Sequence, residues 1–317
     1  MAYFDVFNGD ADGICALHQL RLAQPLESTL VTGVKRDIAL LERVQAQAGD
    51  QITVLDIAID KNRGALARLL AAGARVRYFD HHYPGLIPSH PGLDTHIETH
   101  PDKGTSLLVD DFLSGRHRAW AVVGTFGDNF DAAACRCATP LGLSAADLAN
   151  LRELGVCINY NSYGEQLADL FCPPAELYRR LRPFADPLQF IREEPIFGIL
   201  SEGYAQDMAQ ARGTKPSLEN DHCRLYILPA QPWARRVSGV FANALALESP
   251  ALAHALLTRL PAGGFLVSVR APQSRPIGAD QLCRQFDTGG GRKAAAGINH
   301  LPDADYDRFV AALATFF

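Results

Sequence analysis

The feature that most constrains the fold is an alternation, through the first 130 residues, of short β-type runs with helix-type runs. Parallel strands need long crossovers between them, so this pattern predicts an α/β domain with a parallel sheet and helices on both faces. Residues 3–7, 29–34, 52–55 and 76–79 read as strands, with helices over 14–23, 38–48 and 62–72. Ligands of open parallel sheets bind beyond the carboxyl ends of the strands, so the polar residues that follow each strand converge on one edge. Here they are acidic: Asp10 and Asp12 in Asn8-Gly-Asp-Ala-Asp-Gly13, Asp56 after the strand at 52–55, and Asp80-His81-His82 after the next.

Alone, the Asn8 to Gly13 segment is an ordinary polar turn, or a calcium loop with Gln19 where the bidentate Glu belongs. It is not alone. Asp128 follows an apolar helical run at 119–126, and with Asp10, Asp12 and Asp56 it makes four carboxylates directed at one place. Such a cluster repels itself unless cations neutralise it, and two divalent ions supply the matching charge. Imidazole among carboxylates suits manganese, with magnesium, cobalt or iron as alternatives, better than it suits calcium. A pair of such ions activates water and clamps the attacking and leaving oxygens of a displacement at phosphorus.

These residues in this order resemble the DHH phosphoesterase superfamily, named for the triplet seen here as Asp80-His81-His82. Ser268-Val-Arg270 and the run Gly289-Gly-Gly-Arg-Lys-Ala-Ala-Ala-Gly297 resemble the DHHA1 domain of one branch of that superfamily. The resemblance implies that Asp10 and Asp56 hold a first metal, and that Asp12, Asp56, His81 and Asp128 hold a second, with Asp56 bridging. It implies that His82 faces the substrate phosphate, that Asp80 orients the histidines, and that Arg270, Gly289, Gly290, Gly291, Arg292 and Lys293 bind substrate. The glycines, followed by a helical alanine run, would offer backbone N–H groups to an anion. Two positions depart from the family: Asn8 stands where a His or Asp ligand is usual, making it a weaker additional ligand, and Arg292 replaces the His of a GGGH signature. Asp60 is a rival for the bridging role but reads as a helix N-cap. Thr105 and Ser106 open a helix, where they could contact phosphate, although helix capping explains them as well, and His18, His90, His96 and His100 read as surface or supporting residues.

At 317 residues the chain exceeds one ordinary core, which predicts two domains: a catalytic domain over 1–180, a Pro-rich linker at 181–197 and a smaller mixed-sheet α/β domain over 198–317, with the active-site cleft between them. Thirty Lys and Arg against 35 Asp and Glu give a net charge of -5, which excludes the basic footprint of a protein that grips long duplex DNA. Seven scattered cysteines without a CxxC pair read as reduced thiols. With neither an export signal nor an apolar span, the expected location is the cytoplasm, away from membranes; a homodimer is left open. The expected activity is that of a phosphoesterase acting on short oligoribonucleotides or 3′,5′-bisphosphonucleotides. Polyphosphate or pyrophosphate hydrolysis and cyclic-dinucleotide cleavage use the same centre. A catalytically weakened nucleotide-binding regulator is the alternative from another class.

Overall fold

The structure is a computed structural model that describes residues 1–100 and 102–317. It has two compact units, Met1–Glu202 and Gly203–Phe317. In the first, β1 (Tyr3–Phe7), α1 (Ala11–Ala23), β2 (Thr29–Val31), β3 (Gln51–Leu55), α2 (Ile59–Ala71), β4 (Arg75–Asp80) and β5 (Leu93–Ile97) follow in order. The strands form one parallel sheet in the order β2-β1-β3-β4-β5. Val6, Ile52, Val54, Val76 and Tyr78 of this sheet share a buried core with Ala65, Leu66, Leu69 and Leu70 of α2. On α1, every residue from Ala11 to Leu20 is buried, because the helix packs against α3 (Thr105–Phe112) and α4 (Arg118–Gly127). Such enclosure explains why α1 shows no amphipathic stripe.

Three local expectations need correction. Residues 38–48 hold only a 3₁₀ turn at Leu40–Arg43 rather than a helix. Their backbone groups find partners on α2 instead: Asn62 accepts from the Leu41 N–H and donates to the Ile38 carbonyl, and Arg68 donates to the Val44 carbonyl. β5, which the sequence reading passed over, extends the sheet through parallel pairing with β4. Residues 181–197 contain all of α8 (Pro187–Glu193) and the start of α9 (Pro195–Arg212), and fall within the first unit. These follow α5 (Asp131–Ala138), α6 (Ala145–Ser162) and α7 (Pro174–Leu181). Pro174 and Pro187 occupy first-turn positions, where the missing N–H costs nothing, so these prolines start helices instead of breaking them.

The second unit comprises β6 (Leu218–Glu219), β7 (Cys223–Leu228), α10 (Pro232–Glu248), β8 (Ala253–Arg259), β9 (Phe265–Arg270), α11 (Ala279–Cys283), β10 (Gly289–Gly291), β11 (Ala295–Leu301) and α12 (Tyr306–Phe316). Its sheet runs β10-β11-β9-β8-β7-β6, mixed because only β7 and β8 pair in parallel. Its core gathers Leu225, Leu257, Phe265, Val267, Leu282, Phe286, Ile298 and Phe309. The glycine run does not open a helix: Gly289, Gly290 and Gly291 form β10 and pair with Ile298, Gly297 and Ala296 of β11. Close approach requires the missing side chains. A Cβ on Gly289 would lie 1.7 Å from the Cys283 carbonyl oxygen, and Gly291 adopts φ +138 with Ala296 against it. No helix among the described residues is long and apolar enough to cross a membrane.

Candidate metal centre

The strand order places β1 between β2 and β3, so the chain leaves the sheet in opposite directions after β1 and β3, and the crevice opens between their carboxyl ends. Asp10 follows β1 directly as the N-cap of α1, its Oδ1 accepting from the Gly13 N–H at 3.1 Å. Gly13 is required by proximity, since a Cβ there would lie 2.3 Å from the Asn8 carbonyl oxygen. Asp56 follows β3 with φ 59, a left-handed backbone that costs a residue with a side chain about 1–2 kcal/mol. Its N–H donates to the Phe79 carbonyl at 3.0 Å, and the Tyr78 hydroxyl donates to the adjacent Ile57 carbonyl at 2.6 Å. Such strain, held by neighbours, is characteristic of functional positions.

Thr105 and Ser106 do more than open α3. Their backbone N–H groups donate to the two oxygens of Asp12 at 2.6 and 2.7 Å, so the helix start fixes that carboxylate. The Thr105 hydroxyl donates to Asp56 at 3.2 Å, and the Ser106 hydroxyl donates to the Asp12 carbonyl at 2.9 Å. Asp128 ends α4, whose approach to α1 depends on Gly127: a Cβ there would sit 2.2 Å from Ala11 Cβ. The His81 Nε2 atom stands at the middle of the group, 3.4 Å from Asp56 Oδ1, 3.7 Å from Asp128 Oδ2 and 4.0 Å from Asp12 Oδ2. Beside it, His82 Nδ1 lies 2.8 Å from Asp80 Oδ1 while 46% of the His82 side chain is exposed.

Electrostatics mark the cluster as short of positive charge. Burial pushes the Asp12 carboxyl up to about 6 against the pull of His81, and burial together with Asp10 pushes Asp56 well above the carboxylate range. Burial would lower His81, but the hydrogen bond and charge of Asp56, with Asp12 and Asp128, outweigh it and hold the ring at about 10. Burial would likewise lower His82, which its Asp80 partner holds at about 9.

Among the described residues, two sets of donor atoms lie within 4.8 Å of one another, Asp12, His81 and Asp128 in one and Asp56, His81 and His82 in the other. Since the His82 Nδ1 that approaches Asp56 already pairs with Asp80, His82 is the poorer ligand. Asp12, Asp56, His81 and Asp128 therefore fit a divalent ion, with hydrogen bonds orienting Asp12 and Asp56 in the manner of tuned metal sites. Asp10 is placed differently. Its Oδ2 accepts from Lys35 Nζ at 2.5 Å, and the same ammonium reaches Asn159 Oδ1 at 3.0 Å and Asp128 Oδ1 at 3.4 Å. Burial would raise Asp10, yet Lys35 brings it below the ordinary carboxylate value. Sequence reasoning overlooked Lys35, although it lies beyond the end of β2 as Asp10 lies beyond β1.

Of the remaining candidates, Asp60 is not an N-cap: Ala58 holds that position, and Asp60 is exposed and accepts from Arg63 at 3.2 Å. His18 is buried rather than superficial, its Nε2 2.8 Å from the Phe184 carbonyl. His96 stacks on Phe79 with centroids 4.5 Å apart, while His90 and His100 are exposed. In the second unit, Arg270 donates to Asn243 at 2.7 Å and pairs across the sheet with Ala295, beside the hairpin whose Arg292 and Lys293 are exposed.

A five-stranded parallel sheet followed by a mixed six-stranded one is a fold that this chain shares with solved DHH-domain structures. No protein-family model matches the sequence, and neither does any curated protein. Among solved structures, the DHH domain of a member of a family of ribosomal proteins is similar at TM-score 0.68 and 14% identity, over 99% of this chain and 85% of that one. The exonuclease RecJ bound to manganese is similar at TM-score 0.63 and 18% identity, over 98% and 89%. The pGpG-specific phosphodiesterase PggH from Vibrio cholerae is similar at TM-score 0.56 and 15% identity, over 99% and 98%.

Proposed function

We propose that this chain is a divalent-metal phosphoesterase that hydrolyses phosphate esters of short oligoribonucleotides or 3′,5′-bisphosphonucleotides. The observation that carries the reading is the convergence of Asp12, Asp56, His81 and Asp128 around one point, on a DHH fold. Those four residues would hold the ion, which when bound supplies Lewis acidity toward water and phosphoryl oxygen. His82 then acts on the substrate. Its Nδ1 lies 2.8 Å from Asp80 Oδ1, which leaves Nε2 to face a phosphate or leaving oxygen. In the second unit, exposed Arg292 and Lys293 on the hairpin would grip a terminal phosphate or carboxylate. A short substrate is supported by the net charge of -5 and by the end-to-end likeness to the pGpG-specific phosphodiesterase.

The test is incubation of manganese-loaded protein with dinucleotides including pGpG, 3′,5′-bisphosphoadenosine, cyclic dinucleotides and polyphosphate, followed by chromatography of the products. Mononucleotides from the linear dinucleotides or the bisphosphate are expected. Cleavage of polyphosphate or cyclic dinucleotides alone would move the assignment to those substrates. Tight binding without turnover under manganese, magnesium, cobalt or iron would favour the regulator, a reading that the Lys35 ammonium among the carboxylates also suits.

A further inference from the structure

We infer that the centre holds a single divalent ion, and that the Lys35 ammonium takes the place that a first metal on Asp10 would need. The inference rests on the metal-centre reading above and departs from the expected pair. Both Asp10 oxygens are engaged, Oδ1 by the Gly13 N–H at 3.1 Å and Oδ2 by Lys35 Nζ at 2.5 Å. Among the described residues, neither set of closely grouped donor atoms includes Asp10. Asn8, the other residue available to a first metal, turns its amide elsewhere: its Oδ1 accepts from the Asp10 N–H at 3.2 Å and its Nδ2 donates to the Lys35 carbonyl at 3.4 Å.

Lys35 is held by several further contacts. Its N–H donates to the Ser162 carbonyl at 2.9 Å, its ammonium donates to Asn159 at 3.0 Å, and it lies 5.5 Å from the centre of the Tyr163 ring. The loop that carries it fits against the Asp10 loop because Gly9 has no side chain: a Cβ there would stand 2.0 Å from the Gly33 carbonyl oxygen. A compact ammonium beside a carboxylate neutralises one charge without coordination, and a dication in contact with that same carboxylate would be repelled. The site then divides in two. Asp12, Asp56, His81 and Asp128 would face the ion, while Asp10, Asn159 and the far oxygen of Asp128 face lysine, and the halves meet where the Asp10 and Asp56 carboxyls lie side by side.

The experiment counts manganese per chain after saturation and gel filtration, with electron paramagnetic resonance to distinguish an isolated ion from a spin-coupled pair. Wild-type protein should retain one ion with the spectrum of isolated Mn2+. Lys35→Met should retain two with a coupled spectrum, and Lys35→Arg should stay at one. Two ions on the wild type would overturn the inference and leave the metal-centre reading standing, whereas none would remove that reading. One ion on a folded Lys35→Met protein, judged by circular dichroism, would also overturn the role given to Lys35. The wild-type count needs no variant, so it decides the one-ion claim even if Lys35→Met does not fold.

Discussion

Gly104→Ala adds one methyl group where α3 meets the Asp12 carboxylate, and removes nothing. The new Cβ would stand 2.8 Å from Asp12 Oδ2 and 3.1 Å from Oδ1. Ordinary approaches of carbon to oxygen are about 3.3–3.6 Å, so the carboxylate must withdraw by roughly 0.5 Å. Metal–ligand distances tolerate only about 0.2 Å. Displacing a ligand through its supporting contacts typically lowers metal affinity about 10- to 100-fold, or about 1.4–2.8 kcal/mol. The fold itself has little reason to suffer: Gly104 has φ -85 and ψ 171, which alanine adopts freely, and the loss of unfolded-chain freedom favours the variant by about 0.4–1 kcal/mol. Calorimetric titration with Mn2+, alongside thermal unfolding in EDTA, separates the two effects. Wild-type Mn2+ affinity in a variant of unchanged Tm would refute the claim that Asp12, pinned by the start of α3, is a ligand.

Three further outcomes are expected. Asp56→Asn keeps a side chain that tolerates the left-handed backbone but removes its charge, and should lower kcat on a dinucleotide by on the order of a hundred- to thousand-fold with an unchanged circular dichroism spectrum; wild-type turnover would remove Asp56 from the site. His81 keeps its proton up to about 10 in the metal-free protein and must lose it to bind a metal, so Mn2+ uptake at pH 7 should release protons, and affinity should rise with pH and fall more steeply below about 6, where Asp12 also takes a proton. Titrations in buffers of different ionisation enthalpy read that release directly, and finding none at pH 7 would contradict the assignment of His81. Burial holds His18 at about 4 against 6.5 in the unfolded chain, so on acidification the unfolded state takes the proton first and stability is lost between those values, by up to ~3 kcal/mol at ~1.4 kcal/mol per unit. A His18→Gln variant should lack that part of the slope in urea unfolding at pH 7 and pH 4.5, and an identical slope would rule out His18 as its source.

The sequence carries the sheet edge plainly because parallel strands leave a direct record: an apolar run followed at once by the residues that meet at the crevice. Asp10, Asp12, Asp56 and Asp80-His81-His82 all sit where that rule places them. Lys35 obeys the same rule after β2, but a single lysine in a loop is the commonest of surface residues and gives no sign of its partners. Partners decide its meaning. The role of the α3 start was hidden for a similar reason, since a Thr-Ser pair at a helix start caps as readily as it holds a carboxylate 93 residues away in the chain. In the second unit, Gly289 to Gly297 reads as loop and helix when only the alanines are weighed. The glycines become legible as strand once the Cys283 carbonyl and Ala296 lie against them. β8 is illegible alone, because Ala253-His-Ala-Leu-Leu-Thr-Arg259 is as good a helix as a strand until its neighbours β7 and β9 are known.

The measurement that bears most directly on the central claim is anomalous diffraction at the manganese edge from crystals grown with Mn2+. A strong peak enclosed by the Asp12, Asp56, His81 and Asp128 donor atoms is the predicted result. A map without density at that point, or with those side chains turned away from one another, would contradict the account.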